Sequence, residues 1–291
     1  MTWLIGLNFY IAAGAGLLCA AGWATAAGRL EVQHTQLGGA VALAAGLGAL
    51  SVYNLGRVAV GRGEPAGESG RRRWIAGRQR AVAALGVASA VACVAVAVIA
   101  LPARAWAVLG VGGLVAAAYY GRSMWRGESK GHCQAALRRV PGIKPVTVGV
   151  AWGVATAVLP AVAAGSAWGT GWVWRLAAVN ALLIAGLTIP FDVRDLRHDA
   201  ERGVATLATA AGPTAATLLA AALVLAAGGL ASWSTATLGQ PPWHSLRAWA
   251  ALVIAAAVLT ARPGRPDAFY SVGLDGLVFA WAAATWGDAA P

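Results

Sequence analysis

Long apolar stretches of similar length recur along the whole chain, separated by short polar breaks. Nine are legible, at roughly 3–28, 36–61, 81–102, 103–120, 145–168, 170–191, 213–234, 246–262 and 268–286. Each is close to the ~20 residues needed to cross the hydrocarbon of a bilayer. In lipid every backbone donor and acceptor must be paired inside the segment, so each span is expected to be a helix. Leu101-Pro102-Ala103-Arg104 marks a tight turn between the third and fourth spans. Richness in Ala and Gly favours close helix–helix approach. The first span opens on Met1-Thr2, without Lys or Arg. It is also too long for the apolar core of a signal peptide, so it is expected to be a span. The pattern predicts an all-α, polytopic membrane protein of about nine transmembrane helices, in one domain over 1–291.

Composition strengthens this. The chain is 59% hydrophobic and 11% charged, against about 25% charged in a soluble domain. Cys19, Cys93 and Cys133 are far apart, with no CxxC pair. That argues against a disulfide framework or a zinc site and for packing roles.

The basic residues predict the topology. The breaks after spans two, four, six and eight hold Arg62, Arg71, Arg72, Arg73, Arg78, Arg80, Arg122, Arg126, Lys130, Arg138, Arg139, Lys144, Arg194, Arg197, Arg202, Arg262 and Arg265. The other side has only Arg29, Arg104, Arg175 and Arg247. The positive-inside rule expects the first group in the cytoplasm, the N-terminus inside and the C-terminus outside. A bacterial cytoplasmic membrane is the expected location. Trp23, Trp106, Trp168, Trp172, Trp174, Trp233, Trp243 and Trp286 are expected at the outer interface. The net charge of +11 is thus a topology and anionic-lipid signal. Nucleic-acid binding is not expected, and no protein partner is predicted. The Arg-, Gly- and Glu-rich stretch 62–80 is the long polar loop.

The candidate chemistry is acidic. The chain has 11 acidic residues, and Asp192, Asp195, Asp199 and Glu201 fall close together, directly after an apolar span. On a continuous helix, Asp192 and Asp199 would lie within roughly 20° of each other, with Asp195 about 60° away. Three carboxylates on one face repel. A divalent cation answers that, and hard oxygen ligands suit Mg2+ holding a phosphate group. The other reading is a solvated helix end that only positions its loop.

The stretch from Phe191 to Gly212 resembles the second aspartate-rich motif of the UbiA superfamily of intramembrane prenyltransferases. The pattern is closest to its menaquinone-type branch. The matching positions are Asp192, Arg194, Asp195, Asp199, Gly203, Thr206, Leu207 and Gly212. The resemblance covers the whole chain in architecture and about twenty residues in motif. It implies a helical bundle around a central lipid-substrate cavity. It also implies transfer of a polyprenyl group from its diphosphate to a lipophilic acceptor, aromatic or a quinone precursor. By the same resemblance, Asp192, Asp195 and Asp199 would be the catalytic Mg2+–diphosphate ligands. Mg2+ would neutralise the leaving diphosphate, while a dry chamber shields the allylic cation.

The family's first motif is degenerate here. Asn54 is kept, but its three aspartate positions read Leu55, Val58 and Arg62. Three outcomes stay open: one acidic cluster assisted by Arg57 and Arg62 on the diphosphate, a different substrate, or isoprenoid binding without chemistry. Arg57 and Arg62 read equally as snorkelling cations. Arg138, Arg139 and Lys144 are further substrate-binding candidates, as is Arg194 within the motif itself. Each of the loop cations also reads as a positive-inside anchor. Asp275, inside span nine at a depth like that of Asn54 and Arg57, is expected to be paired, with Arg57 as a candidate partner. Asn180 is expected to bond a neighbouring helix, and His198 to be solvated. The competing account is a non-catalytic relative that binds or transports an isoprenoid or other lipid. A transporter with no prenyl link comes third, because the spans hold few ionisable residues.

Overall fold

The computed structural model describes residues 8–32, 35–61, 77–125, 140–201, 203–236 and 241–289, which are helical throughout apart from turns and short linkers. The long helices are α1 (Phe9–Leu30), α2 (Thr35–Gly61), α3 (Gln79–Ala100), α4 (Ala103–Trp125), α5 (Ile143–Ala164) and α6 (Gly171–Arg194). Two short helices follow, α7 (Leu196–Glu201) and α8 (Leu207–Ala211), and then α9 (Pro213–Ala236), α10 (Leu246–Leu259) and α11 (Asp275–Ala289). Among the described residues, 6 helices are long and apolar enough to cross a membrane, namely α1, α2, α3, α5, α6 and α9. The chain is an integral membrane protein. Of the other three expected spans, the fourth and eighth are shorter apolar helices, Ala103–Tyr119 and Leu246–Leu259. The ninth is divided between a π-turn at Phe269–Leu274 and α11.

Packing closes the helices into a ring. α1 lies against α2, α2 against α3 and α4, and α4 against the end of α5. The ring continues from α5 to α6, α9, α10 and α11, and α11 returns to α1. Small residues make these approaches. Gly149 and Gly153 stand one turn apart on α5, and a Cβ on either would strike a backbone carbonyl of α6, that of Ala181 or Ala177. This is the spacing by which glycines let two helical backbones touch in lipid, where dispersion and backbone contacts replace the hydrophobic effect.

Two prolines shape the helices they interrupt. Pro160 has no N–H for the Thr156 carbonyl, and the turn before it opens into a π-helix at Val154–Val158. The Thr156 carbonyl faces Gly22 of α1 so closely that only a glycine fits there. Pro190 sits in the last turns of α6. The carbonyl four residues before it belongs to Gly186, which lies against Val224 and the Ala220 carbonyl of α9.

The outer surface is apolar where lipid would cover it. On α3, Val87, Val91, Val94 and Val98 form an exposed stripe, and on α4 Val111, Leu114 and Val115 do the same. Most of the expected interfacial tryptophans are exposed: Trp106, Trp168, Trp174, Trp233, Trp243 and Trp286. Trp23 corrects the expectation. It is buried, with its ring against Gly38 of α2.

Candidate functional site

The acidic run does not lie on one continuous helix. α6 ends at Arg194, and Asp195 leaves helical geometry at φ −88° and ψ 6° while its N–H still bonds the Phe191 carbonyl. Asp199 therefore belongs to the separate helix α7. The expected continuous helix is interrupted at Asp195, yet all three carboxylates bear electrostatically on Lys144. Asp192 ends up buried on α6, while Asp195 and Asp199 are half-buried beyond the break.

The residues after the run build the loop. Gly203 takes φ +63° and Gly212 φ +85°, left-handed values that favour glycine. Thr206 caps α8 reciprocally: its Oγ1 accepts from the Thr209 N–H, and its own N–H donates to the Thr209 Oγ1 at 2.8 Å. This satisfies donors that a helix start would otherwise leave bare. Leu207, the next residue, lies against Gly142, itself at φ +86°. Gly142 is the turn that launches α5. So Gly203, Thr206, Leu207 and Gly212 fix the approach of α5 to the end of α6.

That approach delivers Lys144. Its ammonium donates to the Asp192 carboxylate at 2.7 Å, and the side chains are 47% and 2% exposed. Asp195 and Asp199 also bear electrostatically on Lys144. Arg194 grips Asp195 through both carboxylate oxygens, at 2.9 and 3.0 Å. Its guanidinium lies over Phe191 at 5.1 Å and over Tyr270 at 5.6 Å. Asp267 stands 3.9 Å from it. Tyr270 is held by its hydroxyl to the Arg262 carbonyl at 2.8 Å. The acidic run, the start of α5 and the π-turn before α11 thus meet at one end of the bundle.

Asn54 is fully buried; it accepts from the Asn8 side-chain amide and donates to the Leu50 carbonyl, each at 2.9 Å. Val58 is buried apolar packing. Arg57 is half-buried in the last turns of α2. Asp275 opens α11 and bears electrostatically on Tyr10 and Arg194. Arg62, Arg138 and Arg139 lie outside the described residues. His198 is partly exposed.

Deeper, about 18 Å along α6 from Asp192, Asn180 forms a second polar layer. Its amide donates to Thr156 at 2.9 Å, and its carbonyl accepts from the Trp281 indole at 3.3 Å. All three are fully buried. Between the layers, Trp152 donates to the Tyr53 hydroxyl at 3.1 Å. Asp267, Tyr270, Tyr53 and Trp152 were missed in sequence. Only Asp267 left a signal, as one more acid in a chain with 11.

The described residues do not fit a metal held jointly by Asp192, Asp195 and Asp199. No three Asp, Glu, His or Cys side chains among them come together to hold one. Asp192 is answered by Lys144 and Asp195 by Arg194.

Solved structures share this fold. A UbiA homolog from Archaeoglobus fulgidus bound to GPP and Mg2+ is 13% identical, with 99% of each chain covered and a TM-score of 0.64. The same homolog bound to DMAPP and Mg2+ gives 0.65 at 13% identity and 99% coverage of both chains. A structure described as giving insights into the biosynthesis of digeranylgeranylglyceryl phosphate synthase in membranes is 14% identical, at TM-score 0.63, over 99% of this chain and 97% of that one. At these identities the likeness is one of fold. No protein-family model and no curated protein matches the sequence.

Proposed function

We propose that the chain is a UbiA-type intramembrane prenyltransferase. It would bind a prenyl diphosphate at the Asp192 end of the bundle and transfer the prenyl group to a lipophilic acceptor, aromatic or a quinone precursor. The observation that carries this is the convergence of Lys144, Arg194 and the acidic run at the end of an apolar bundle, in a fold shared with proteins solved with GPP and DMAPP. The C–O bond of an allylic diphosphate breaks with its electron pair going to diphosphate. The acceptor then captures the allylic carbon and loses a proton. Fixed cations stabilise the departing anion as its charge develops, a role for Lys144 and Arg194. Surrounding apolar helices keep water from the cation.

Mg2+ would supply further neutralisation of the diphosphate when bound. The arrangement of the chain's own carboxylates does not gather a site for it, so the reading rests on Lys144 and Arg194. Arg57, Arg62, Arg138, Arg139 and Asp275 stay as substrate-binding proposals, as does an orientation with this end in the cytoplasm.

The second reading, a lipid-binding relative without chemistry, is favoured by Leu55 and Val58 standing where the resemblance calls for acids. Two measurements on detergent-purified protein separate these readings. One is binding of geranylgeranyl diphosphate, with Mg2+ and with EDTA, to wild type and Lys144→Met. The other is pyrophosphate release against a set of aromatic and quinone-precursor acceptors. Binding lost in the variant, with release on addition of an acceptor, is the expected result. Binding without release would favour the second reading, and no binding in either condition would sink the prenyltransferase reading and leave binding of another lipid as the account.

A further inference from the structure

At the end of the bundle opposite Asp192, three helices each contribute an arginine. Arg29 lies in the last turn of α1, and its guanidinium sits over the Trp172 ring of α6 at 5.3 Å. Arg175 is three residues beyond Trp172 on the same helix, hence on the same face. Arg247, at the start of α10, is bound to Asp288 of α11, and α11 packs on α1. Arg175 and Arg247 both bear electrostatically on Arg29.

Among the described residues, Asp288 is the carboxylate that meets this gathering of like charge. Asp288 is already engaged, accepting from the Arg247 Nε at 2.6 Å, the Leu246 N–H at 2.6 Å and the Ser245 hydroxyl at 3.0 Å. Among the described residues neither Arg29 nor Arg175 meets a carboxylate, Glu31 included. The Arg247 side chain is 8% exposed. Its Nε is bonded, but its two terminal nitrogens have no acceptor among the described residues. A buried guanidinium with unused donors is costly unless an anion reaches it.

The surroundings indicate which anion. Trp174, Trp243, Trp249 and Trp286 are exposed around this end, and exposed indoles mark the headgroup level of a bilayer. We infer that Arg29, Arg175 and Arg247 form a binding site for the phosphate of an anionic phospholipid headgroup. Guanidinium groups match phosphate oxygens in paired hydrogen bonds, and the acyl chains would lie along the apolar outer face. This inference is independent of the prenyltransferase reading, since it concerns the other end of the bundle.

Native mass spectrometry of the full chain in detergent tests it. The probes are phosphatidylglycerol, phosphatidylcholine and inorganic phosphate, applied to wild type, the Arg29→Gln/Arg175→Gln double variant and the matching Arg→Lys pair. Arg247 is left intact, because its loss would strand buried Asp288. The expected result is selective retention of one phosphatidylglycerol, reduced roughly tenfold in the Gln pair and largely kept in the Lys pair. Unfolding temperatures of the three proteins should agree closely without lipid. Equal retention of both lipids, retention unchanged in the Gln pair, or displacement of the lipid by millimolar phosphate would each overturn it.

Discussion

The Lys144 ammonium reaches the Asp192 carboxylate at 2.7 Å, joining the first turn of α5 to the last turn of α6. The pair is lopsided: the Asp192 side chain is buried and the Lys144 side chain about half-exposed. On the proposed reading, Lys144 would meet the arriving diphosphate while it holds Asp192. Replacing it with Met should strand the buried carboxylate, at about 1–3 kcal/mol. The expected outcome is a lower unfolding temperature in detergent. Asp192→Asn should lose less, because the amide keeps a hydrogen-bonding oxygen and leaves no buried charge. Equal losses in the two variants would show that burial of the charge is not what sets the cost.

The loop that positions Lys144 should be separable from the site itself. Thr206 touches neither Lys144 nor Asp192, yet it caps α8, whose Leu207 supports the Gly142 turn. Thr206→Val should remove about 1 kcal/mol of capping. It should also weaken geranylgeranyl diphosphate binding, while Thr206→Ser keeps both. A binding loss in the Ser variant as large as in the Val variant would contradict this positioning role.

How much of this was readable in advance depends on the range of the interaction. Apolar runs report helices because the bilayer forces internal pairing, so the positions of the long helices followed from the pattern of apolar runs and polar breaks. Gly203, Thr206 and Gly212 take backbone roles that depend on near neighbours, which is why residues of these types stand out in a sequence. The break at Asp195 was not legible, since nothing in Asp192–Asp199 forbids a continuous helix. Pairings across the bundle were invisible as well. Lys144 meets Asp192 across 48 positions, and Arg247 meets Asp288 across 41. Asn180 was foreseen as a helix-to-helix tie because a polar amide in a span needs a partner, but Thr156 and Trp281 could not be named.

That tie gives a prediction of its own. Asn180→Leu would leave the Trp281 indole N–H and the Thr156 hydroxyl without this partner in a fully buried layer. Interhelical hydrogen bonds in membranes contribute about 0.6 kcal/mol on average, but stranding a buried donor adds to that, for about 1–3 kcal/mol in all. Unfolding in a denaturing detergent series should shift accordingly. Asn180→Leu combined with Trp281→Phe should recover part of the loss, since the second change removes the stranded donor. No recovery would mean that the cost lies in packing.

The contact between α5 and α6 should tolerate no added atoms. Gly149 and Gly153 each face an α6 carbonyl at less than the usual side-chain distance, and a backbone carbonyl cannot rotate aside as a side-chain tip can. Gly153→Ala should force the helices apart and cost about 1–3 kcal/mol. Because the same two helices carry Lys144 and Asp192 at one end, the displacement should also loosen that pair. Unfolding temperature and geranylgeranyl diphosphate affinity should therefore fall together in Gly153→Ala. Ala substitution at Gly112 of α4, where nothing lies within 4 Å of the added atom, should leave both unchanged or slightly raise helix stability. If Gly153→Ala proves as neutral as Gly112→Ala, the close approach of α5 and α6 does not set the geometry of the site.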